Sequence, residues 1–147
     1  MAHANKLITT AYTMRTPTIL IADDDRHLRE SLHEFLADLG CDIAEAGNGT
    51  DAIAVLSRMR CDLLLSDVDM PDMTGFQLLS WVTDQGLIQT PNHRPSMLNP
   101  SMKIVLMSAR ADQHLGREAQ RAGAITLLAK PVELPAITSL VHTLLEQ

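Results

Sequence analysis

Five short aliphatic runs, each followed by a polar break and an amphipathic stripe, constrain this chain more than any other feature. Thr18–Ala22 (TILIA) is apolar throughout and rich in β-branched residues, as expected of a strand covered on both faces. After Asp23-Asp24-Asp25, the residues Leu28, Leu32, Phe35, Leu36 and Leu39 fall on one stripe of a helix. Asp25 suits its N-cap and Gly40 its stop. Cys41–Ala46 reads as the second strand, Gly47-Asn48-Gly49 as a turn, and Ala52, Ile53, Val55, Leu56 and Met59 as the next helical stripe. Leu63–Ser66 is the third strand, with a helix from Phe76 to Asp84. Lys103–Met107 is the fourth, with a weakly apolar helix around Leu115, Ala119 and Ala122 that Gly123 ends. Ala124–Ala129 is the fifth, and the last stripe runs from Leu134 to Leu145. Five strand–helix units in series predict an α/β fold: one parallel, doubly wound five-stranded sheet with helices on both faces.

The length of 147 residues suits one domain of this kind and leaves no room for a second. We expect the domain to occupy residues 17–147, preceded by a poorly ordered polar extension over residues 1–16. That extension lacks the apolar stretch of a secretory signal, and Met14 is an alternative start. Gly86 to Met102 breaks the rhythm, with three prolines (Pro91, Pro95, Pro100) and little periodicity; it reads as a long surface loop.

Composition excludes several functions. The net charge is −6, no run of Lys or Arg offers a polyanion surface, and only four aromatics are present, so direct nucleic-acid binding is not expected. No apolar run approaches the roughly 18 residues of a membrane span. Cys41 and Cys61 show no metal-binding spacing and read as reduced core fillers of a cytoplasmic protein. The six histidines are scattered without ligand spacing and read as ordinary surface residues.

The chemistry-bearing residues lie elsewhere, each immediately after a strand. Asp23 and Asp24 (with Asp25) follow the first, Asp67 the third, Ser108 the fourth and Lys130 the fifth. In an open parallel sheet the carboxyl ends of the strands form the binding edge, so this fold would gather acids, a hydroxyl and an amine there. Clustered carboxylates repel and require a counter-ion; a few carboxylates plus water favour Mg²⁺ over Ca²⁺, with Mn²⁺ as an alternative occupant. A carboxylate beside such a cation, with an ammonium and a hydroxyl close by, can attack phosphorus.

These residues resemble the receiver domain of two-component response regulators, a flavodoxin-like fold, in its stand-alone, chemotaxis-regulator-like form. The resemblance runs from Pro17 to Glu146 and rests on Asp23-Asp24 after TILIA, the segment SDVDMPDMTG around Asp67, Ser108-Ala109 after KIVLM, and Lys130-Pro131. It implies that Asp67 accepts a phosphoryl group from the phosphohistidine of a sensor histidine kinase or a phosphotransfer protein. It further implies that Asp24 and Asp67 ligate Mg²⁺ directly, Asp23 partly through water and Asp69 through its backbone carbonyl. Lys130 would pair with the acceptor, Ser108 would turn toward the phosphoryl group, and a cis Lys130-Pro131 bond would aim the lysine. Phosphorylation would then shift a conformational equilibrium on the face made by the fourth helix, fifth strand and fifth helix, read by a downstream protein target. Such a chain catalyses only its own phosphorylation and dephosphorylation. Ala109, Arg110, Leu127 and Pro131 occupy positions that modulate these steps. Leu127 stands where the family often carries an aromatic, and Val132 where one often follows Lys-Pro.

Asp69 and Arg110, two residues beyond the acceptor and the hydroxyl, could pair over the phosphoryl group or simply be solvated. Asp72 reads as support for the turn it shares with Pro71. Two other functions compete: a haloacid-dehalogenase-type phosphatase built on Asp67 and Asp69, and a receiver-like interaction module that is never phosphorylated. The sequence fits a stand-alone receiver and a piece of a larger regulator or hybrid kinase equally.

Overall fold

Strand alternation sorts the aliphatic residues onto two faces. In the computed structural model, which describes residues 16–84 and 101–146, the strands are β1 (Thr18–Ala22), β2 (Asp42–Ala46), β3 (Leu63–Asp67), β4 (Lys103–Ser108) and β5 (Thr126–Ala129). All pair in parallel, in the order β2-β1-β3-β4-β5. Leu20, Ala22, Leu64, Ile104 and Leu106 point to one face, and Ile19, Ile21, Leu63, Leu65, Val105 and Met107 to the other. Because both faces are covered, the central strands β1, β3 and β4 carry unbroken apolar runs at residues 19–22, 63–65 and 104–107, while the edge strand β2 admits Asp42 and Glu45.

The helices divide accordingly. Those of α2 (Gly49–Arg58), α3 (Gly75–Asp84) and α4 (Gln113–Ala122) pack on the first face through Ala52, Val55, Leu56, Leu78, Leu79, Val82 and Ala119. The second face is covered by α1 (Arg26–Asp38) and α5 (Leu134–Leu145) through Leu32, Leu36, Ile137, Val141 and Leu144. The expected doubly wound architecture is present, with element ends shifted by one or two residues: β2 begins at Asp42, and β5 at Thr126. Cys41 and Cys61 are buried in opposite core layers, and burial pushes both thiols up to about 11. Of the expected extension over residues 1–16, all but Thr16, and of the long loop over residues 86–102, all but Ser101 and Met102, lie outside the described residues. The loop's last residue, Met102, is described: it is buried in the core rather than at the surface. Among the described residues no helix is long and apolar enough to cross a membrane.

Capping follows the sequence at some ends and surprises at another. Asp25 caps α1 by accepting the Leu28 amide, and Gly123 closes α4 at φ 113°, in the left-handed region that glycine tolerates. Thr74 and Gln77 form a reciprocal capping box at the start of α3. Asp72 does not merely support its own turn. Its carboxylate reaches across to α2 and accepts the amides of Gly49 and Thr50 and the hydroxyl of Thr50. Those bonds to Thr50 and Gly49 hold its pKa down at about 2.

A carboxylate depressed from 3.8 to about 2 contributes stability that is fully present above the higher value and is lost as the pH falls through the lower one. Asp72→Ala is therefore expected to lower the thermal midpoint by a few degrees at neutral pH. The gap between variant and wild type should close over that acid window in paired melting curves; a gap constant with pH would refute the cap.

Candidate functional site

The sheet changes winding direction at β1, whose neighbours β2 and β3 lie on opposite sides. A crevice opens beyond the carboxyl ends of such strands, and the acids sit there. Asp23 leaves β1 fully buried, Asp67 closes β3 almost fully buried, and Asp24 is exposed at the rim. Each offers a carboxylate oxygen, and the three oxygens lie within 4.8 Å of one another. Asp25 is spent as the cap of α1 and stands outside this cluster.

An ammonium faces them. Lys130, at the end of β5, places Nζ 2.7 Å from Asp23 Oδ2 and 3.3 Å from Asp67 Oδ2. Its amide donates to the Ser108 carbonyl, and the bond to Pro131 is cis, the isomer that the family resemblance implies. Burial alone would lower the lysine's pKa, but Asp23 and Asp67 outweigh it and the net shift is upward. Asp67 is also shifted upward, by burial first and by the Asp23 charge second, against the opposing pull of Lys130 and the Asp69 amide. Two like charges at 4.8 Å repel by about 3 kcal/mol at an effective dielectric near 20, so one ammonium leaves the trio under-compensated.

The donor set fits a hard divalent cation. Asp23 Oδ2 is buried and meets Lys130 Nζ at 2.7 Å, a charge-assisted contact that still leaves the oxygen a lone pair to offer. A buried carboxylate oxygen with bonding capacity to spare, beside two further carboxylates, is the chemistry of an all-oxygen Mg²⁺ site.

Local backbone geometry keeps the acceptor loop tight. The Gly75 amide donates to Val68 O at 2.8 Å, and a Cβ at Gly75 would stand 2.6 Å from the Asp67 carbonyl oxygen. Only glycine fits there. Ser108 is fully buried at the end of β4, and its Oγ accepts the Arg110 amide at 2.9 Å, which leaves the hydroxyl proton for another acceptor. Ala109 and Pro131 are exposed. Arg110 clasps Asp69 with two bonds, Nε to Oδ2 at 3.2 Å and Nη2 to Oδ1 at 3.0 Å. Leu127 is half-buried against the layer of α2, α3 and α4, and Val132 packs on the other layer.

The structure thus brings Asp23, Asp24, Asp67 and Lys130 into one pocket, with Ser108 at the next strand end. Sequence reading missed a neighbouring group. His33 is not an ordinary solvated histidine: its Nδ1 lies 2.6 Å from Glu45 Oε2, while Arg29 Nε donates to Glu45 Oε1 at 3.0 Å and Nη1 to the Asp23 carbonyl at 2.8 Å. Arg29 and His33 lie one turn apart on α1, but nothing in the sequence ties that face to Glu45; the packing of α1 against β2 does. His142 and His114 pair with Glu146 and Glu118 one turn along their own helices.

Residues 19–142 match the response regulator receiver domain family. The chain is similar to the response regulator protein FleR of Pseudomonas aeruginosa, 37% identical over 123 residues, or 84% of this chain and 23% of FleR. It is also similar to the sporulation initiation phosphotransferase F of Bacillus subtilis, 27% identical over 128 residues, covering 87% of this chain and 93% of that one. The CheY-like receiver domain structure from Methanospirillum hungatei superposes with a TM-score of 0.76 at 24% identity, over 90% of this chain and 95% of that one. This chain spans between about a quarter and just under half of several of its curated relatives.

Asp67 is buried against its own charge and that of Asp23. Asp67→Asn is expected to raise the thermal midpoint in metal-free buffer by about 5 °C, the equivalent of roughly 1–2 kcal/mol in a domain of this size. Scanning fluorimetry with a chelator checks this; an unchanged or lower midpoint would mean that Lys130 already neutralises the pair.

Proposed function

We propose that this chain, which belongs to the response regulator receiver domain family, signals by taking a phosphoryl group onto Asp67. The observation that carries the reading is the Lys130 ammonium set between the Asp23 and Asp67 carboxylates. One carboxylate oxygen of Asp67 attacks phosphorus while the phosphorus–nitrogen bond of a donor phosphohistidine breaks, so that the imidazole leaves and an acyl phosphate remains. The donor is the phosphohistidine of a sensor kinase or of a phosphotransfer protein. Lys130, already within 3.3 Å of Asp67, pairs with an oxygen of the new phosphoryl group. Ser108 offers its hydroxyl proton to another.

Receiver domains bind Mg²⁺ in an acidic pocket, and here Asp23, Asp24 and Asp67 would hold it, with the backbone carbonyl of Asp69 as a further ligand. When bound, that ion neutralises charge on the transferring phosphoryl oxygens. The receiver occupies residues 17–147, acts in the cytoplasm, and catalyses no reaction but its own phosphorylation and dephosphorylation. Its output is a shift in a two-state equilibrium on the face of α4, β5 and α5, read by a protein target.

The phosphatase alternative loses support at Asp69. There the second aspartate would need to serve as an acid–base beside the acceptor, but its carboxylate is clasped by Arg110. The unphosphorylated interaction module leaves the buried Asp23–Lys130–Asp67 arrangement without a use.

The test is incubation with acetyl phosphate and Mg²⁺ followed by intact mass. Wild type should gain one phosphoryl group and Asp67→Asn none; equal labelling of both, or labelling of neither, would sink the assignment. Asp69 and Arg110, two residues beyond the acceptor and the hydroxyl, form a pair with both side chains more than half exposed. Exposed pairs are worth less than about 1 kcal/mol, so its effect is steric rather than stabilising. Arg110→Ala should shorten the aspartyl-phosphate half-life severalfold by opening a path for water, as followed by phosphate release. An unchanged half-life would show the pair to be idle.

A further inference from the structure

Asp23 is the buried end of the acidic cluster, and its main chain is pinned from both directions. Its amide donates to the Ala46 carbonyl at 3.0 Å, and its own carbonyl accepts Arg29 Nη1 at 2.8 Å. The same guanidinium turns Nε to Glu45 Oε1 at 3.0 Å, and the other Glu45 oxygen meets His33 Nδ1 at 2.6 Å. Despite their polarity, the Arg29 and Glu45 side chains are only 17% and 27% exposed. The guanidinium lies along Gly47, where a Cβ would come within 3.4 Å of Nη1. Burial would raise the pKa of Glu45, but the bonds from His33 and Arg29 outweigh it and keep the carboxylate ionised between them.

The acceptor chemistry makes no use of these three residues. Both Arg29 bonds avoid the pocket carboxylates, going instead to the backbone of Asp23 and to β2. We propose that Arg29, braced by Glu45 and His33, is a positioning residue for the divalent-cation site, fixing the main chain from which the Asp23 carboxylate projects. The inference rests on the pocket being a cation site.

Charge and geometry give opposite signs, which makes the idea testable. A guanidinium acting only as a nearby positive charge would repel the metal, so removing it would tighten binding. A guanidinium acting as a brace would, on removal, loosen the ligand and weaken binding. Arg29→Lys keeps the charge but offers its donors from one point instead of from a rigid fork. The probe is Mn²⁺ alone, titrated into the full chain and followed by the electron paramagnetic resonance signal of the free ion, with melting curves in chelator alongside.

Arg29→Lys and Arg29→Gln are each expected to weaken Mn²⁺ binding about tenfold, the scale seen when partners that orient metal ligands are lost. Should either variant fail to fold, Glu45→Gln leaves Arg29 in place and removes only its anionic brace. At high salt, where distant charges are screened, that variant should weaken binding about threefold, as the loss of one hydrogen bond would. Unchanged or tighter binding in the folded variants, even with a lowered melting point, overturns the inference and leaves the pocket assignment standing. Wild type that binds no Mn²⁺ overturns both.

Discussion

The organising constraint in this molecule is electrostatic: two buried carboxylates share one ammonium. Lys130 sits 2.7 Å from Asp23 and 3.3 Å from Asp67, with Asp24 close by at the rim. Such an arrangement is costly to fold, because each buried charge has given up water and the carboxylates repel one another. It persists because the aliphatic sheet that carries it is over-determined. Ile19 to Ala22, Leu63 to Leu65 and Ile104 to Met107 are all fully or almost fully buried, and the central ladders join them on both sides of β3. The stable middle of the sheet thus supports an unfavourable edge, and that edge is where added positive charge or a new dianion makes the most difference.

The loops around the edge are built to hold position rather than to bind. Asp72 ties the segment after β3 to the start of α2, 22 residues away, while Thr74 and Gln77 fix the first turn of α3. Gly75 allows the chain to pass against the carbonyl of Asp67 itself. The residue after Asp67, Val68, is held from the α3 side by the Gly75 amide, as Asp23 is held by Arg29 of α1 and Ala46 of β2. The two acids can be driven together only because neither main chain is free to relax apart.

What could be read beforehand follows from range. The five strands were legible because a strand buried on both faces writes its identity into consecutive residues. The pocket was legible because Asp23, Asp24, Asp67, Ser108 and Lys130 each follow such a strand directly, and a parallel sheet aligns those ends. Asp25 as a cap and Gly123 as a stop are equally local. Asp72 and His33 were misread for the complementary reason. Their neighbours in sequence suggest a turn residue and a solvated histidine, whereas their partners, Thr50 and Glu45, are brought in by the packing of α2 and by that of α1 against β2. The Thr74–Gln77 capping box is different: the spacing was visible and went unused.

The same packing logic bears on how a change at the pocket leaves it. Ser108 is tied to the loop leading into α4 through the Arg110 amide and to the end of β5 through the Lys130 amide, so a displacement at the end of β4 reaches both. On its face of the sheet, α4 is the helix with the fewest buried residues. It buries only Leu115 and Ala119, whereas α3 buries Leu78, Leu79 and Val82. Between α4 and β5 runs a groove of about 390 Å³ lined by Gly116, Gln120 and Leu127 among others, and nothing stands within 4 Å of where a Cβ of Gly116 would be. An aliphatic residue at position 127 has no ring whose rotation could fill or empty that space. With the strand fixed by its ladder to β4 and the groove left open, the freedom that remains lies in α4 moving as a body over β5. Coupling by helix displacement asks only for a weakly buried helix beside unfilled volume, and both are present.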